Sequence, residues 1–474
     1  MEKRSVRIFC LLMGPALFAL CCFALPSAFE TFASRAAIGS VAWMAFWWVT
    51  GPVDFAVTAL LPIGINAFFQ IADMSAVIAN YSSETILLLL GASIISVTWE
   101  ETGLDRRIAA VFMGLVGSNY RRQVAFWFLL SAALSAVLPN AVVCATMTPI
   151  AYSMLKYIGE DDIPHSAVGS KILLVIAYGA GVGGLASPLG GAMNLVVVDY
   201  LQQLTGEEFM YVEWVIRFLP IMVVLLGSNL LFLTIGIKRG TTIGSSREYF
   251  LEQIKAFPKM TKEENWALWL FVVATVLAFT RQFYAGVLPG MKPAYVFIIC
   301  GIVSFLVVKT DRSRLMLWEN TQAKIGWDMM LIFGGGLAAG TLMNDSGAAE
   351  ALGSLVAGFG LTGGFFTILV IVTATLILSD ITSNTATAAV ALPIVISIIQ
   401  GIGKNPIPYV YIATIGVNLS YMMPTSIRAI PVGYGLQPRY MLKAGWKISV
   451  MVILLETVLC YFMLLYWPAF STTG

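Results

Sequence analysis

The chain has 474 residues, of which 58% are hydrophobic and only 11% are charged, and its mean hydropathy is +0.84. A soluble domain carries about 25% charged residues, so this composition excludes a string of soluble domains and indicates a polytopic membrane protein. The net charge of +2 provides no strongly basic field of the kind that attracts nucleic acid.

The six cysteines and the single histidine argue against an enzyme. The cysteines lie mostly inside apolar runs without metal-type spacing, which is typical of small apolar residues rather than of disulfides or ligands. His165 stands alone in a polar loop, and neither an H-x-x-x-H nor a G-x-S-x-G pattern occurs. We therefore expect neither a histidine-based metal site nor a catalytic triad.

The first apolar run follows Lys3, Arg4 and Arg7 and resembles a signal peptide. It lacks an A-x-A-like exit and precedes many further apolar runs, so we interpret it as the first transmembrane helix. A full span needs about 20 apolar residues, and a half-helix in a re-entrant hairpin needs fewer. The sequence thus predicts an all-α protein with spans near 8–26, 37–50, 53–70 and 84–100, a hairpin at 122–155, spans at 168–200 and 214–237, spans at 266–283, 294–308 and 326–344, a hairpin at 363–400, and spans at 407–435 and 446–468.

The distribution of basic residues orients these eleven predicted spans. With the N-terminus inside, most of the 28 Lys and Arg residues fall in loops on the cytoplasmic side, as the positive-inside rule requires. The polar segment 238–265 has a basic excess and is predicted to be a cytoplasmic connector. We expect a multi-pass inner-membrane protein with a cytoplasmic N-terminus and an extracytoplasmic C-terminus.

An internal repeat is visible at an offset of 244 residues. The offset relates residues without a gap and pairs Glu84 with Asp328, Gly91 with Gly335, Thr102-Gly103 with Ser346-Gly347, Asn140 with Asn384 and Pro149 with Pro393. The predicted topology gives the two copies opposite orientations, and inverted repeats are a transporter architecture. The expected organisation is N-terminal scaffold helices at 1–80, a first repeat at 81–237, the connector at 238–265, further scaffold helices at 266–325 and a second repeat at 326–474.

The stretch Ser379–Pro393 is polar although it lies between two apolar runs. Its serines, threonines, asparagine and aspartate indicate either helix–helix packing or a binding site, and Ser383-Asn384-Thr385 after Asp380 favours the site. The repeat pairs this tip with Pro139-Asn140-Ala141. Each asparagine is predicted to start a half-helix whose N-terminal N–H groups favour an anion.

Two predicted spans contain breaks that face these tips. The segments Gly179–Asn194 and Met422–Pro431 hold too many glycines or prolines for a continuous helix. Their unwound carbonyls are natural cation ligands, so anion and Na+ sites can lie side by side. The alternative interpretation of the glycines is close helix packing.

These motifs resemble those of the divalent anion:sodium symporter (DASS) family. The resemblance rests on Leu87–Ile108 with its E-E-T-G-L-D-R-R-I run, on W-D-M-M-L-I-F-G-G-G-L from Trp327, and on S-N-T-A-T-A-A-V-A-L-P, and it covers about 80–468. It implies an inverted-repeat homodimer with a scaffold domain and an elevator-type transport domain in the lipid bilayer. It further implies Na+-coupled uptake, or exchange, of small dicarboxylates, tricarboxylates or sulfate, with one or two sodium sites.

The resemblance also assigns site residues, unevenly between the two halves. It implies substrate contacts from the two tips and the second break, at Pro139, Asn140, Ala141, Ser383, Asn384, Thr385, Thr425 and Arg428. It implies sodium ligands at Ser135, Asn140 and Gly190 in the first half and at Ser379, Thr382, Asn384 and Ser426 in the second. Pro139 and Ala141 replace hydroxyl residues of the family pattern, which weakens the first half-site.

Arg428 is the basic residue that the predicted topology leaves inside the membrane. A charge at that depth costs about 2.5–3.5 kcal/mol on insertion scales, so it requires a partner. The candidates are Asp380 as an ion pair, the substrate, which we favour, or inward snorkelling. The resulting hypothesis is a lopsided site for a divalent anion of the dicarboxylate, sulfonate or sulfate class, in which Arg428 replaces lost donors or one Na+. A sodium/proton or oxyanion antiporter of the same superfamily, using Asp380, is the alternative.

Overall fold

The computed structural model describes residues 2–25, 29–114, 117–238, 240–244, 246–310, 312–351 and 361–473. Among these residues the regular structure is helical, with two isolated β-bridges. The main helices are α1 (Glu2–Ala24), α2 (Phe32–Thr50), α3 (Leu61–Phe69), α4 (Glu84–Thr102), α5 (Leu104–Gly114), α6 (Tyr120–Ser135), α7 (Asn140–Tyr157), α8 (Ala167–Gly184), α9 (Ala192–Thr205), α10 (Tyr211–Thr234), α11 (Ser246–Ala256), α12 (Lys262–Phe279), α13 (Pro293–Leu306), α14 (Trp327–Asp345), α15 (Phe365–Ile381), α16 (Asn384–Gly401), α17 (Ile407–Asn418) and α18 (Pro438–Tyr466).

Short helical turns connect the main helices. The α-helical turns are Phe55–Thr58, Met74–Ala79, Arg281–Tyr284, Trp318–Thr321 and Ala429–Gly433, and the 3₁₀ turns are Asn80–Ser82, Pro188–Gly190, Ser426–Arg428 and Pro468–Ser471. Six segments of the described chain are long and apolar enough to cross a membrane: Val6–Ala24, Met74–Thr102, Ala167–Gly184, Tyr211–Thr234, Asn384–Gly401 and Pro438–Tyr466. The all-α membrane fold predicted from the sequence is confirmed. The predicted end of the first span at residue 26 lies outside the described residues.

The two predicted hairpins are present as α6–α7 and α15–α16, and the bounds of their second helices repeat the 244-residue offset. Helix α7 begins at Asn140 and α16 begins at Asn384, and both contain 18 residues. Pro139 precedes the first and has no N–H to continue α6, whereas Ser383 caps the second by accepting the Ala386 N–H at 3.1 Å. The asparagines therefore stand at helix N-termini, as predicted.

Both predicted interrupted spans are broken in the structure. The 168–200 segment consists of α8 and α9, separated by the residues between Gly184 and Ala192. The 407–435 segment stops at Asn418 and resumes only in short turns. Ser426 within the second break has a φ of 52°, a left-handed conformation that is uncommon for a residue other than glycine and is often found at functional sites.

The helices pack in two groups. Group A contains α6–α10 and α15–α18, in which α8 packs on α6 and α17 packs on α15. Group B contains α1–α4 and α12–α14, in which α13 packs on α4. Helix α14 lies between the groups because its glycines permit close approach: a Cβ on Gly335 would lie 2.3 Å from Ala59 O, and one on Gly336 would lie 2.1 Å from Ala389 Cβ.

The segment predicted as a surface connector is more structured than its polarity indicates. Helix α11 occupies its middle and packs against α5 and α7. Helix α12 begins at Lys262, within the predicted connector, because Thr261 and Glu264 form a capping box. Arg107 pairs with Glu264 at 2.6 Å and so fixes this helix start against α5.

Candidate functional site

A large cavity with a volume of about 790 Å³ lies between the two helix groups. Pro139, Asn140 and Ala141 line it at the start of α7, and Gly191 and Ala192 line it at the start of α9. Two helix N-termini thus meet at one cavity. Their free N–H groups and positive dipole ends favour an anion between them.

Charged residues line the other end of the cavity. Arg106 and Asp105 come from α5, Glu100 from α4, and Lys324 from the segment before α14. Lys324 pairs with Glu100 at 2.8 Å, so part of this charge is compensated. Asp105 accepts a hydrogen bond from Thr146 at 3.0 Å, and burial raises the pKa of its carboxyl. The distribution of basic residues predicts that this end of the cavity is cytoplasmic.

Below the first tip, backbone oxygens converge around two glycines. A Cβ on Gly190 would lie 2.2 Å from Gly184 O and 2.6 Å from Ser135 O, and one on Gly184 would lie 3.3 Å from the Asn140 amide nitrogen. Only glycine permits so close an approach of these backbone groups. Backbone carbonyl oxygens are ligands for hard cations, so the Gly184 and Ser135 carbonyls suit a Na+ ion, whereas Asn140 presents its amide nitrogen to Gly184. The Ser135 hydroxyl donates instead to Ala180 O at 2.7 Å.

The second tip is closed in this structure. None of Ser383, Asn384 and Thr385 is among the residues that line the large cavity. The Asn384 side chain donates to Asn418 O at 3.0 Å, and the Ser379 hydroxyl donates to Val417 O at 2.7 Å, the counterpart of the Ser135 bond. In this structure the first tip, rather than the second, lines the cavity. The prediction that the second tip carries most of the binding chemistry stays a prediction.

Thr382 and Thr425 are held by nearby groups of the second half. The Thr382 hydroxyl contacts the Thr387 hydroxyl at 2.7 Å and donates to Leu378 O at 2.9 Å. Thr425 donates to Asp380 O at 3.1 Å, which fixes the start of the turn that contains Ser426. These two hydroxyls therefore form hydrogen bonds within the second half and stabilise the backbone around the second tip and the second break.

Arg428 is completely buried in group A. Its guanidinium donates to Asn384 Oδ1 at 3.3 Å and to Asn418 O at 3.4 Å, both neutral oxygens. A Cβ on Gly181 of α8 would lie 2.5 Å from Arg428 Nη2, so that glycine makes room for the guanidinium. Snorkelling is excluded by this burial. No carboxylate of the described residues lies within 4.0 Å of it, so the ion pair with Asp380, the less favoured of the two candidate partners, is not formed in this structure.

Asp380 instead organises the loop that follows α17. Its Oδ1 atom accepts from the backbone N–H groups of Tyr421 and Met422 at 2.8 Å and of Met423 at 3.3 Å. Three donors on one oxygen hold the unwound backbone next to the second tip. Asp380 therefore shapes the break beside Arg428 without contacting it directly.

Two asparagines connect the halves. Asn194 of α9 donates to Gly184 O at 2.6 Å and to Ser187 O at 2.8 Å, and its Oδ1 accepts from Asn418 Nδ2 at 2.8 Å. The sequence identified Asn194 through the first break. It missed Asn418, for which the only signal is a polar side chain at the end of an apolar helix.

The fold and this site define a polytopic membrane transporter. A family model described as a citrate transporter matches residues 45–416, and the chain belongs to that family. It is therefore a transport protein rather than an enzyme, and the resemblance to divalent anion:sodium symporters is confirmed.

The curated relatives agree with this assignment. The chain is 26% identical over 470 residues to the sodium-dependent dicarboxylate transporter SdcS of Staphylococcus saprophyticus, which covers 96% of this chain and 90% of that protein. It is 25% identical to SdcS of Staphylococcus aureus over the same shares.

Two solved structures share the fold. They are the YdaH transporter of Alcanivorax borkumensis, with a TM-score of 0.55, 13% identity and coverage of 83% of this chain and 88% of that chain, and MtrF of Neisseria gonorrhoeae, with a TM-score of 0.52, 13% identity and coverage of 94% and 96%. The identity is low, so these structures support the fold alone.

Proposed function

We propose that this protein carries a small dianion of the dicarboxylate class across the inner membrane together with Na+. The observation that supports this most directly is the convergence of two helix N-termini, at Asn140 and Ala192, on one cavity. The names of the curated relatives point to the same substrate class and to sodium.

The substrate is proposed to bind at the floor of the large cavity. Pro139 and Ala141 provide no hydroxyl, so the donors there are the backbone N–H groups of α7 and α9 and the Asn140 amide. In the opposite-facing conformation Ser383, Thr385 and Thr425 would contribute hydroxyl donors to the substrate. The substrate would then meet different chemical groups in the two conformations.

We further propose that the two halves treat cations differently. The first half binds Na+ in the oxygen cluster around Ser135, Asn140 and Gly190. In the second half the Arg428 guanidinium already contacts Asn384 Oδ1, which the resemblance assigns to a second sodium site together with Ser379, Thr382 and Ser426. A fixed cation there reduces the number of coupled Na+ ions and makes exchange of anions possible.

The transport motion is proposed to be an elevator movement of group A against group B. The cavity opens beside Arg106 and Lys324, which the charge distribution places in the cytoplasm, so the structure represents an inward-facing conformation under this proposal. Inverted repeats, a homodimer, a cytoplasmic N-terminus and an extracytoplasmic C-terminus belong to the same proposal. The alternative, an antiporter that uses Asp380, is a different hypothesis and is tested separately below.

Uptake by proteoliposomes tests these statements. Labelled succinate, citrate and sulfate are offered with an inward Na+ gradient and with choline in its place, and we expect Na+-dependent uptake of a dicarboxylate. Lack of saturable uptake of every dianion would refute the function. Uptake driven equally well by an outward-directed proton gradient, without Na+, would favour the antiporter.

Arg428 variants test the fixed cation. Removing the guanidinium leaves Asn384 Oδ1 free for a second Na+, so Arg428→Ala should raise the Hill coefficient for Na+ from near one towards two, while Arg428→Lys should stay near one. Arg439→Ala, on an exposed arginine, is the matched control. Wild-type affinity and Hill coefficient in both Arg428 variants would remove the idea.

A further inference from the structure

A second, smaller cavity of about 330 Å³ lies at the boundary between the helix groups. Its polar lining comes from Asn80 and Ser83 of the segment before α4 and from Asp199, Gln202 and Gln203 of α9. It shares no residue with the lining of the large cavity. The mechanism proposed above does not use it.

Two residues in the lining of this cavity carry buried polar atoms without hydrogen-bond partners in the described structure. Asp199 is only 9% exposed; its Oδ1 accepts from Thr85 at 2.5 Å, but its Oδ2 is buried without a hydrogen-bond partner in the described structure. The Ser83 hydroxyl is likewise buried and unpartnered, although Ser83 is the N-cap of α4 and a serine there normally accepts a helix N–H. Buried polar atoms without partners in a polar cavity indicate a bound ligand.

The charge of the cavity selects the ligand. Glu84, which directly follows Ser83 in the chain, is already paired with Lys292 at 2.9 Å and accepts a hydrogen bond from Tyr295 at 3.0 Å. This leaves one uncompensated carboxylate with neutral hydroxyl and amide oxygens around it. A divalent ion usually needs more than one carboxylate, whereas a small monovalent cation is neutralised by one.

We propose that Asp199 and Ser83, with the amide oxygens of the same cavity, bind one monovalent cation, Na+ under physiological conditions. The site joins the groups, because Asp199 belongs to α9 in group A and Ser83 precedes α4 in group B. A cation here holds α9 against α4 in the conformation seen. The inference rests on the proposed function only where it treats these groups as bodies that move relative to each other.

Binding is measured without any transport substrate. Purified full-length protein is heated in NaCl–choline chloride mixtures of constant ionic strength, so that only the cation changes. Asn140→Ala weakens the proposed sodium cluster at the first tip and leaves the Asp199 site intact. We expect this variant to keep a Na+-dependent rise in melting temperature, and Asn140→Ala/Asp199→Asn to require at least tenfold more Na+ for half of that rise.

Two further variants keep the result interpretable. Ser83→Ala removes one neutral ligand and should weaken the response in the same direction, which covers the case in which Asp199→Asn fails to fold. Glu207→Gln removes an exposed carboxylate just beyond α9 and should change nothing. An unchanged Na+ titration in both Asp199→Asn and Ser83→Ala would overturn the site, and stabilisation by acid alone, without a Na+ response, would overturn the cation. Failure of dianion uptake with a normal Na+ response would refute only the proposed function.

Discussion

Asn418 donates to Asn194 at 2.8 Å, and this hydrogen bond joins the two interrupted spans. On one side Asn194 holds the carbonyls of Gly184 and Ser187; on the other, Asn418 O accepts from Asn384 and from Arg428. The cavity-facing half and the closed half are therefore one connected polar network. A change in either half is transmitted through completely buried amides.

Removing the Asn194 side chain should destabilise the folded protein. Asn194→Ala removes the amide donor from the buried Gly184 and Ser187 carbonyls and the acceptor of one Asn418 N–H. Each buried polar group left unpaired costs about 1–3 kcal/mol. We expect a clear loss of melting temperature in detergent, and Asn418→Ala should show a comparable loss with little additivity in the double variant. Asn265→Ala, at an exposed helix start, is the control. Full additivity would contradict the network.

Gly336 tests whether close packing between α14 and α16 is required for transport. A Cβ at this position would lie 2.1 Å from Ala389 Cβ of α16, so Gly336→Ala forces group A away from α14. We expect the initial uptake rate to fall by at least tenfold while the protein still inserts and purifies. Gly227→Ala on α10 meets no atom within 4 Å and should transport normally. Equal uptake by the two variants would contradict a tight sliding surface.

Glu456 is a buried residue whose carboxyl group has no hydrogen-bond partner in the described structure. Both of its oxygens lack hydrogen-bond partners inside α18 and its neighbours. An unpaired charge is unfavourable there, so the side chain should be neutral, and an apolar residue of similar size should serve at least as well. We expect Glu456→Met to unfold at the wild-type temperature or a few degrees above it. A marked loss of stability would show that this carboxyl has a bound partner.

Asp105 makes anion binding at the cavity mouth depend on pH. Burial raises the pKa of its carboxyl, so it takes up a proton at a higher pH than an ordinary aspartate. Its repulsion of a dianion is therefore present above that raised pKa and is lost as the pH falls through it. As the pH falls through this raised pKa, we expect the affinity for the dianion, measured from the cavity side, to rise about two- to fivefold. This corresponds to about 0.5–1 kcal/mol of binding free energy.

The Asp105→Asn variant should bind with the higher affinity at every pH. The comparison is made on inside-out vesicles, in which the cavity mouth faces the medium. Glu160→Gln, a carboxylate outside the lining of the cavity, should keep the wild-type pH profile. A pH dependence that survives unchanged in Asp105→Asn would assign it to another group.

Much of the backbone could be predicted from local sequence. The offset of 244 residues located both hairpins, and Asn140 and Asn384 begin their helices as expected, because proline and serine before them are local determinants of a helix start. The start of α12 was placed too late, since the capping box at Thr261 and Glu264 precedes the apolar run. Hydropathy cannot detect a polar first turn.

The state of the site could not be read from the sequence. Which tip faces a cavity depends on how group A lies against group B, and both tips carry similar local signals. Arg428 illustrates the same limit: the sequence required a partner and offered Asp380, but the folded chain directs Asp380 to the Tyr421 and Met422 N–H groups. The guanidinium was left with amide oxygens that no spacing rule identifies.

The space that Gly181 leaves for Arg428 links two positions that are far apart in the chain. Any side chain at position 181 would push the guanidinium off Asn418 O. Evolution should therefore have changed the two positions together: homologues with arginine at 428 should retain glycine at 181, and those without arginine should be free to vary there. An alignment that shows bulky residues at 181 beside arginine at 428 would indicate that the arginine adopts another position in those proteins.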